Sequence, residues 1–133
     1  MNGSTDMSVR PDFLGSTSVT GSSPEFVVQD TTTGFLRPLT SGELATSYAS
    51  GGATNAVTNF SLASTAAISG SQSANTLTLN SGGGVALTNS SVTGVNGPGY
   101  TNSNLTLTAG GVLAFAGNTG INVACLVTHS CPF

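Results

Sequence analysis

Apolar residues recur at every second position in short runs through the second half of the chain. In Asn75-Thr76-Leu77-Thr78-Leu79, Leu77 and Leu79 share one side, and Thr76, Thr78 and Asn80 share the other. A period of two predicts a strand with one buried face and one wet face. Gly82-Gly83-Gly84 predicts a sharp turn, a corner where only glycine permits the backbone angles, and Val85 and Leu87 begin the next inward pair. A copy with a shorter glycine turn follows, in which Leu105 and Leu107 repeat Leu77 and Leu79, Gly110-Gly111 makes the turn, and Val112, Leu113 and Phe115 leave it. Upstream, Val57, Phe60, Leu62 and Ile68 fall on short strands with Asn and Ser between them. Downstream, Asn118-Thr119-Gly120 predicts a turn, and Ile121 and Val123 a last strand.

The N-terminal part is patterned differently. Residues 1–21 read as a lead-in, with Pro11 against any helix and Gly15-Ser16-Thr17-Ser18 as loop. Phe26-Val27-Val28 predicts a short strand and Phe35-Leu36 a second one, limited by Pro38. Between them Asp30-Thr31-Thr32-Thr33-Gly34 predicts a turn, with Asp30 accepting from nearby backbone N–H groups and Gly34 at positive φ. Ser41 to Tyr48 allows one helical turn capped by Ser41, weakened by Gly42. The layout is therefore an irregular lead-in with a hairpin cap over 1–50, stacked strands over 51–124 with an insert at 88–103, and an unpatterned tail over 125–133.

Composition agrees with an all-β chain. Charged residues are 5% of the sequence, where soluble domains carry about 25%. Every Asp, Glu and Arg lies at or before Glu43. Ser, Thr and Asn carry the polar positions beyond it, and they disfavour helix interiors. The net charge of −3 and the absence of any basic patch argue against nucleic-acid binding. The most apolar stretch, Val112 to Val127, is broken by Gly117, Asn118, Thr119, Gly120 and Asn122, which argues against a membrane span. Asp6, Arg10 and Asp12 stand where a signal peptide needs its apolar core.

Short strands, tight glycine turns and uncharged outward Thr, Ser and Asn predict a parallel β-helix, each coil stacked on the last. An antiparallel β-sandwich is the alternative. Few coils would leave exposed hydrogen-bonding ends, so self-association is expected.

Asn59-Phe60-Ser61-Leu62, Asn75-Thr76-Leu77-Thr78-Leu79 and Leu105-Thr106-Leu107-Thr108-Ala109-Gly110-Gly111-Val112-Leu113-Ala114 resemble the passenger regions of bacterial autotransporters that carry autotransporter-associated β-strand repeats. Thr33-Gly34-Phe35-Leu36-Arg37-Pro38-Leu39 is similar to the lead-in before such rungs. The resemblance runs from Phe26 to Val123 and implies a right-handed parallel β-helix, secretion, and a place at or outside the cell surface. It supplies no catalytic residues. The chain is expected to be a fragment of a longer protein of this kind.

Reactive side chains are few. Asp30, Arg37 and Glu43 are the only plausible acid–base set, and the plainer reading is one turn residue and two solvated charges. His129 lies in the tail without an orienting carboxylate, and Cys125 and Cys131 are either a small disulfide or two free thiols. Neither set suffices for a metal, and no cofactor is expected. Gly82-Gly83-Gly84 lacks the Lys-Ser/Thr of a phosphate loop. The one candidate contact loop is the insert at 88–103, with Asn96, Tyr100 and Asn102 beside Gly97-Pro98-Gly99. An exposed tyrosine there suits a sugar face. The expected function is a non-catalytic structural module of an exported or cell-surface protein. The alternative is an adhesin-like module contacting a glycan or cell-surface partner through that loop.

Overall fold

Glu25–Gln29 (β2) is the centre of a small antiparallel sheet, with Val9–Gly15 (β1) on one side and Leu36–Pro38 (β3) on the other. The computed structural model describes residues 2–48, 55–88, 90–91, 100–101 and 103–124, with backbone alone at 55, 88, 90–91, 100–101 and 123–124. β2 and β3 form the hairpin expected from Phe26-Val27-Val28 and Phe35-Leu36. β1 was not expected. Its register slips between Arg10 and Leu14, so Pro11, Asp12 and Phe13 bulge from the ladder. Proline has no N–H to give a ladder, so a bulge accommodates it.

Most of the described residues beyond 54 form two open, parallel, three-stranded sheets. Asn55–Leu62 (β4), Ser71–Leu79 (β6) and Asn104–Ala114 (β10) make one, with β6 central. Thr65–Ser69 (β5), Gly84–Thr88 (β7) and Gly120–Ala124 (β11) make the other, with β7 central. Between β7 and β10, Ser90–Ser91 (β8) pairs antiparallel with Tyr100–Thr101 (β9).

Three strand–turn–strand units therefore lie side by side, and their turns are tied backbone to backbone. Asn80 N–H donates to Leu62 O at 2.8 Å, Gly82 N–H to Gly117 O at 2.7 Å and Thr119 N–H to Gly83 O at 2.7 Å. Of the three glycines at the central turn, Gly82 alone has positive φ. Gly83 and Gly84 are there for room. A Cβ on Gly83 would stand 1.9 Å from Leu62 O, and one on Gly84 would stand 2.0 Å from Thr119 Oγ1.

The main core lies between the two parallel sheets and holds Phe60, Leu62, Ile68, Leu77, Leu79 and Val85. A second core of Met7, Phe26, Val28, Leu39 and Leu44, with Leu113 against it, joins the antiparallel sheet to the outer face of the β4–β6–β10 sheet. Thr76 and Thr78 are consequently fully buried, not solvent-facing as the period of two predicted. Parallel sheets are characteristically covered on both faces, and here the N-terminal sheet supplies the second cover.

The strand register also departs from the sequence repeat. Leu105 and Leu107 pair with Gln72 and Ala74, while Val112 and Ala114 pair with Leu77 and Leu79. The cause is Asn75. Ala56-Val57-Thr58 of β4 and Thr108-Ala109-Gly110 of β10 both bulge opposite this single residue. The inward residues of β6 accordingly change phase, from Gln72 and Ala74 to Leu77 and Leu79. Gly110 ends that bulge and Gly111 resumes the ladder opposite Thr76, so the pair makes no strand-joining turn. Gly111 leaves room for Phe26, whose Cε1 would lie 2.6 Å from an added Cβ.

These findings correct the expected architecture. The right-handed parallel β-helix, which the pattern predicted and the autotransporter resemblance implied, does not form. No sheet closes or curls on itself as a solenoid requires, and the sheets mix parallel and antiparallel strands. Among the described residues each parallel sheet has three strands, and the antiparallel N-terminal sheet covers one of them. The antiparallel sandwich fails too, because both larger sheets are parallel. No helix among the described residues is long and apolar enough to cross a membrane.

Candidate functional site

Asn96 and Asn102 lie outside the described residues, as do Cys125, His129 and Cys131. Tyr100 is placed by its backbone alone, opposite Ser91. The contact loop is thus not assembled into a described site. Among the described residues no group of three or more His, Cys, Asp and Glu is placed to hold a metal ion.

The structure does bring Asp30, Arg37 and Glu43 together. The Asp30–Gly34 turn closes through Gly34 N–H to Asp30 O at 2.8 Å, with Gly34 at φ 77°. Asp30 Oδ1 accepts from the N–H groups of Thr32 and Thr33 at 2.8 Å, as an aspartate at a turn start does. That fixes Asp30 Oδ2, which takes Arg37 Nε at 2.9 Å. Arg37 Nη1 and Nη2 reach Glu43 Oε2 and Oε1, each at 2.7 Å. Ser41–Glu43 is one 3₁₀ turn whose N-cap is Thr40, not Ser41. Glu43 folds back over it and accepts from Thr40 N–H and Thr40 Oγ1 at 3.0 Å. Gly3 N–H adds a further bond at 2.7 Å.

Glu43 is 1% exposed, so it is a buried ion, contrary to the solvated charge expected. The guanidinium of Arg37 holds Glu43 well below the usual carboxylate range against its burial, and the backbone N–H of Thr33, followed by Arg37, does the same for Asp30. Both carboxylates stay ionised and fully engaged. They suit a clasp that joins residues 2–3, the β2–β3 hairpin and the 3₁₀ turn, and they leave no proton to donate.

The more open chemistry lies at Glu25, which opens β2 directly after Pro24. Its carboxylate lines a cleft of about 420 Å³ between the antiparallel sheet and β4. Thr17, Ser23, Thr40, Ser41 and Ser61 line this cleft, the hydroxyls of Thr40 and Ser61 being bonded to Glu43 and Asn80, and Pro38, Leu39 and Leu44 supply apolar wall. Glu25 Oε2 accepts one side-chain hydrogen bond, a long one from Thr78 Oγ1 at 3.3 Å. Burial pushes the Glu25 carboxyl up, with the bonds from Thr78 and from the Phe26 backbone opposing only in part. A half-buried acid at raised pKa in a cleft is a candidate for a functional site.

Sequence reasoning passed over Glu25. Its only local signal is an acid set between Pro24 and the apolar run Phe26-Val27-Val28. The partners that make it distinctive, Thr17, Ser61 and Thr78, come from three other parts of the chain. Comparison with protein-family models, with curated proteins and with solved structures finds no match.

Proposed function

We propose that the chain is a non-catalytic structural module of an exported or cell-surface protein. The observation that supports this is how completely the interior polar groups are used to hold strands together. Among the described residues, one buried side-chain polar atom, Gln72 Oε1, is without a hydrogen-bond partner. Asn59 shows the pattern. Its amide donates to Thr5 O at 3.1 Å and Met7 O at 2.8 Å, and its oxygen accepts from Asn75 Nδ2 at 2.9 Å and Thr76 Oγ1 at 2.8 Å. Polar side chains spent in this way fix strand register and leave little for turnover.

Labelling of intact producing cells with an antibody to the folded chain tests the reading. Surface or extracellular signal is expected, with no hydrolysis of a polysaccharide panel. Signal confined to the cell interior, or turnover abolished by Glu25→Gln, overturns it.

Ends that self-associate fit the same role. The β4 edge is partly capped by Ala45, which bridges Phe60, and by Thr5, which accepts from Asn59 N–H. At the opposite end Val112 and Ile121 continue the core columns of Leu77 and Val85 and are about half exposed.

A second reading keeps the insert as a contact loop for a glycan or cell-surface partner. The pairing of β8 with β9 favours it, since the insert leaves and rejoins the sheets at one place. A glycan array probed with wild type and Tyr100→Ala decides it, and equal signal from both rejects it.

A further inference from the structure

The Glu25 cleft has a charge imbalance that the described residues do not correct. The sequence holds two arginines, Arg10 and Arg37, and no lysine. Arg10 is paired with Asp12 at 3.1 Å and lies over the Phe13 ring. Arg37 is spent on Asp30 and Glu43. Glu25 is therefore a half-buried anion with no arginine left to pair with it, and its cleft is otherwise lined by hydroxyls and aliphatic carbon. Desolvating an anion without a counter-charge is unfavourable, and a bound cation offsets that cost.

We propose that this cleft binds a primary alkylammonium group, its nitrogen on the Glu25 carboxylate and its chain along Pro38, Leu39 and Leu44. The donor set selects among cations. Calcium takes six to eight oxygens, normally with several carboxylates, and this cleft has one. A guanidinium wants both oxygens of a carboxylate in one plane, but Thr78 already holds Oε2. An ammonium has three N–H donors on a compact centre. It suits one carboxylate oxygen and two hydroxyls of the set at Thr17, Ser23 and Ser41, since those of Thr40 and Ser61 are bonded to Glu43 and Asn80. Among the described residues no aromatic ring lines the cleft, so a methylated ammonium finds no cage there. The burial that raises Glu25 is the force that a cationic ligand relieves.

The shared chemistry belongs both to free aliphatic amines and to a lysine side chain. Calorimetric titration of the full chain at constant ionic strength with n-butylammonium, 1,5-diaminopentane and Nα-acetyl-lysine methylamide separates them. Saturable binding of n-butylammonium is expected, with tetramethylammonium, which has no N–H, at least about tenfold weaker. Preference for the diamine identifies a free amine as the ligand, and preference for the lysine amide identifies a protein side chain. Glu25→Gln is expected to weaken binding about tenfold or more while keeping the melting temperature at or above wild type. Ser41→Phe, at an exposed rim position, fills the cleft with Glu25 intact and is expected to abolish binding. No saturation with any primary amine, equal binding of tetramethylammonium, or wild-type affinity in either variant overturns the proposal.

Discussion

Arg37 grips Glu43 with two parallel hydrogen bonds, Nη1 to Oε2 and Nη2 to Oε1, each 2.7 Å long. Glu43 is almost fully buried, and Arg37 is about a quarter exposed. Removing one partner of a buried pair strands the other charge away from water. Arg37→Met is expected to lower unfolding free energy in urea at pH 7 by about 3 kcal/mol, near the low end for buried pairs because Arg37 is itself partly wet. Adding Glu43→Gln to that variant removes the stranded charge and should recover part of the loss.

The pH dependence of stability has two opposing contributions. Glu43 and Asp30 are lowered from ordinary values of 4.5 and 3.8, so the folded state holds fewer of their protons than the unfolded one. Their stabilisation is complete above pH 4.5 and is lost as pH falls through and below these values. Glu25 is raised from 4.5, so its burial costs nothing while it is protonated and becomes unfavourable as pH rises through its folded value. Melting temperature against pH should show the Arg37→Met deficit shrinking below pH 4.5. Glu25→Gln should stabilise at pH 7, with the gain vanishing below pH 4.5.

Glycine substitutions separate room from backbone angle. Gly83→Ala drives a methyl into the carbonyl of Leu62 and is expected to cost about 3 kcal/mol or more in urea unfolding. Gly110→Ala meets no atom, though its φ is 75°, and should cost only about 1–2 kcal/mol. Equal costs would show that the turns are not in contact.

Asn59→Ala leaves the carbonyl of Met7 with only the longer bond from Asn75 and takes the buried acceptor from the hydroxyl of Thr76, and a loss of about 3 kcal/mol is expected in the same measurement. Asn59→Asp should be worse at pH 7, because a carboxylate cannot donate to Thr5 O or Met7 O. Acidification should restore part of that extra loss, since a protonated carboxyl recovers a donor.

The open β10–β11 end gives a prediction about assembly. Edge strands are normally guarded by charge, and this chain has none after Glu43. Sedimentation of the wild-type chain should show concentration-dependent association. The double variant Val112→Lys with Ile121→Lys should sediment as a monomer, and an unchanged profile would locate the contact elsewhere.

What the sequence revealed depended on how local the cause was. The inward pair Leu77 and Leu79, the Asp30–Gly34 turn and the hairpin around it rest on neighbouring residues and are present, though the second hairpin strand runs from Leu36 through Pro38 and leaves out Phe35. The closed stack was not, because closure depends on what covers each sheet. Nothing near Thr76 or Thr78 announces that Met7, Glu25 and Phe26 will bury them. The leucine repeat misled for a related reason. Matching Leu105 to Leu77 assumes an unbroken period of two, and the bulges opposite Asn75 break it. Glu25 was illegible as a site because its cleft is assembled from segments distant in sequence.

The hydrogen bonds from Asn59 and Asn75 to the carbonyl of Met7 set an order of events. Their sequence separations are 52 and 68 residues. Thr5 and Met7 are synthesised before β4 and β6, and although Met7 packs with Phe26 and Val28, its carbonyl finds Asn59 and Asn75 only once β4 and β6 have been made. The segment that covers the parallel sheet is thus synthesised early and docked late, and contacts this distant slow folding. Residues 5–7 must therefore stay free to reach Asn59 until β4 and β6 exist, and the cover of the parallel sheet is completed by its earliest-made part.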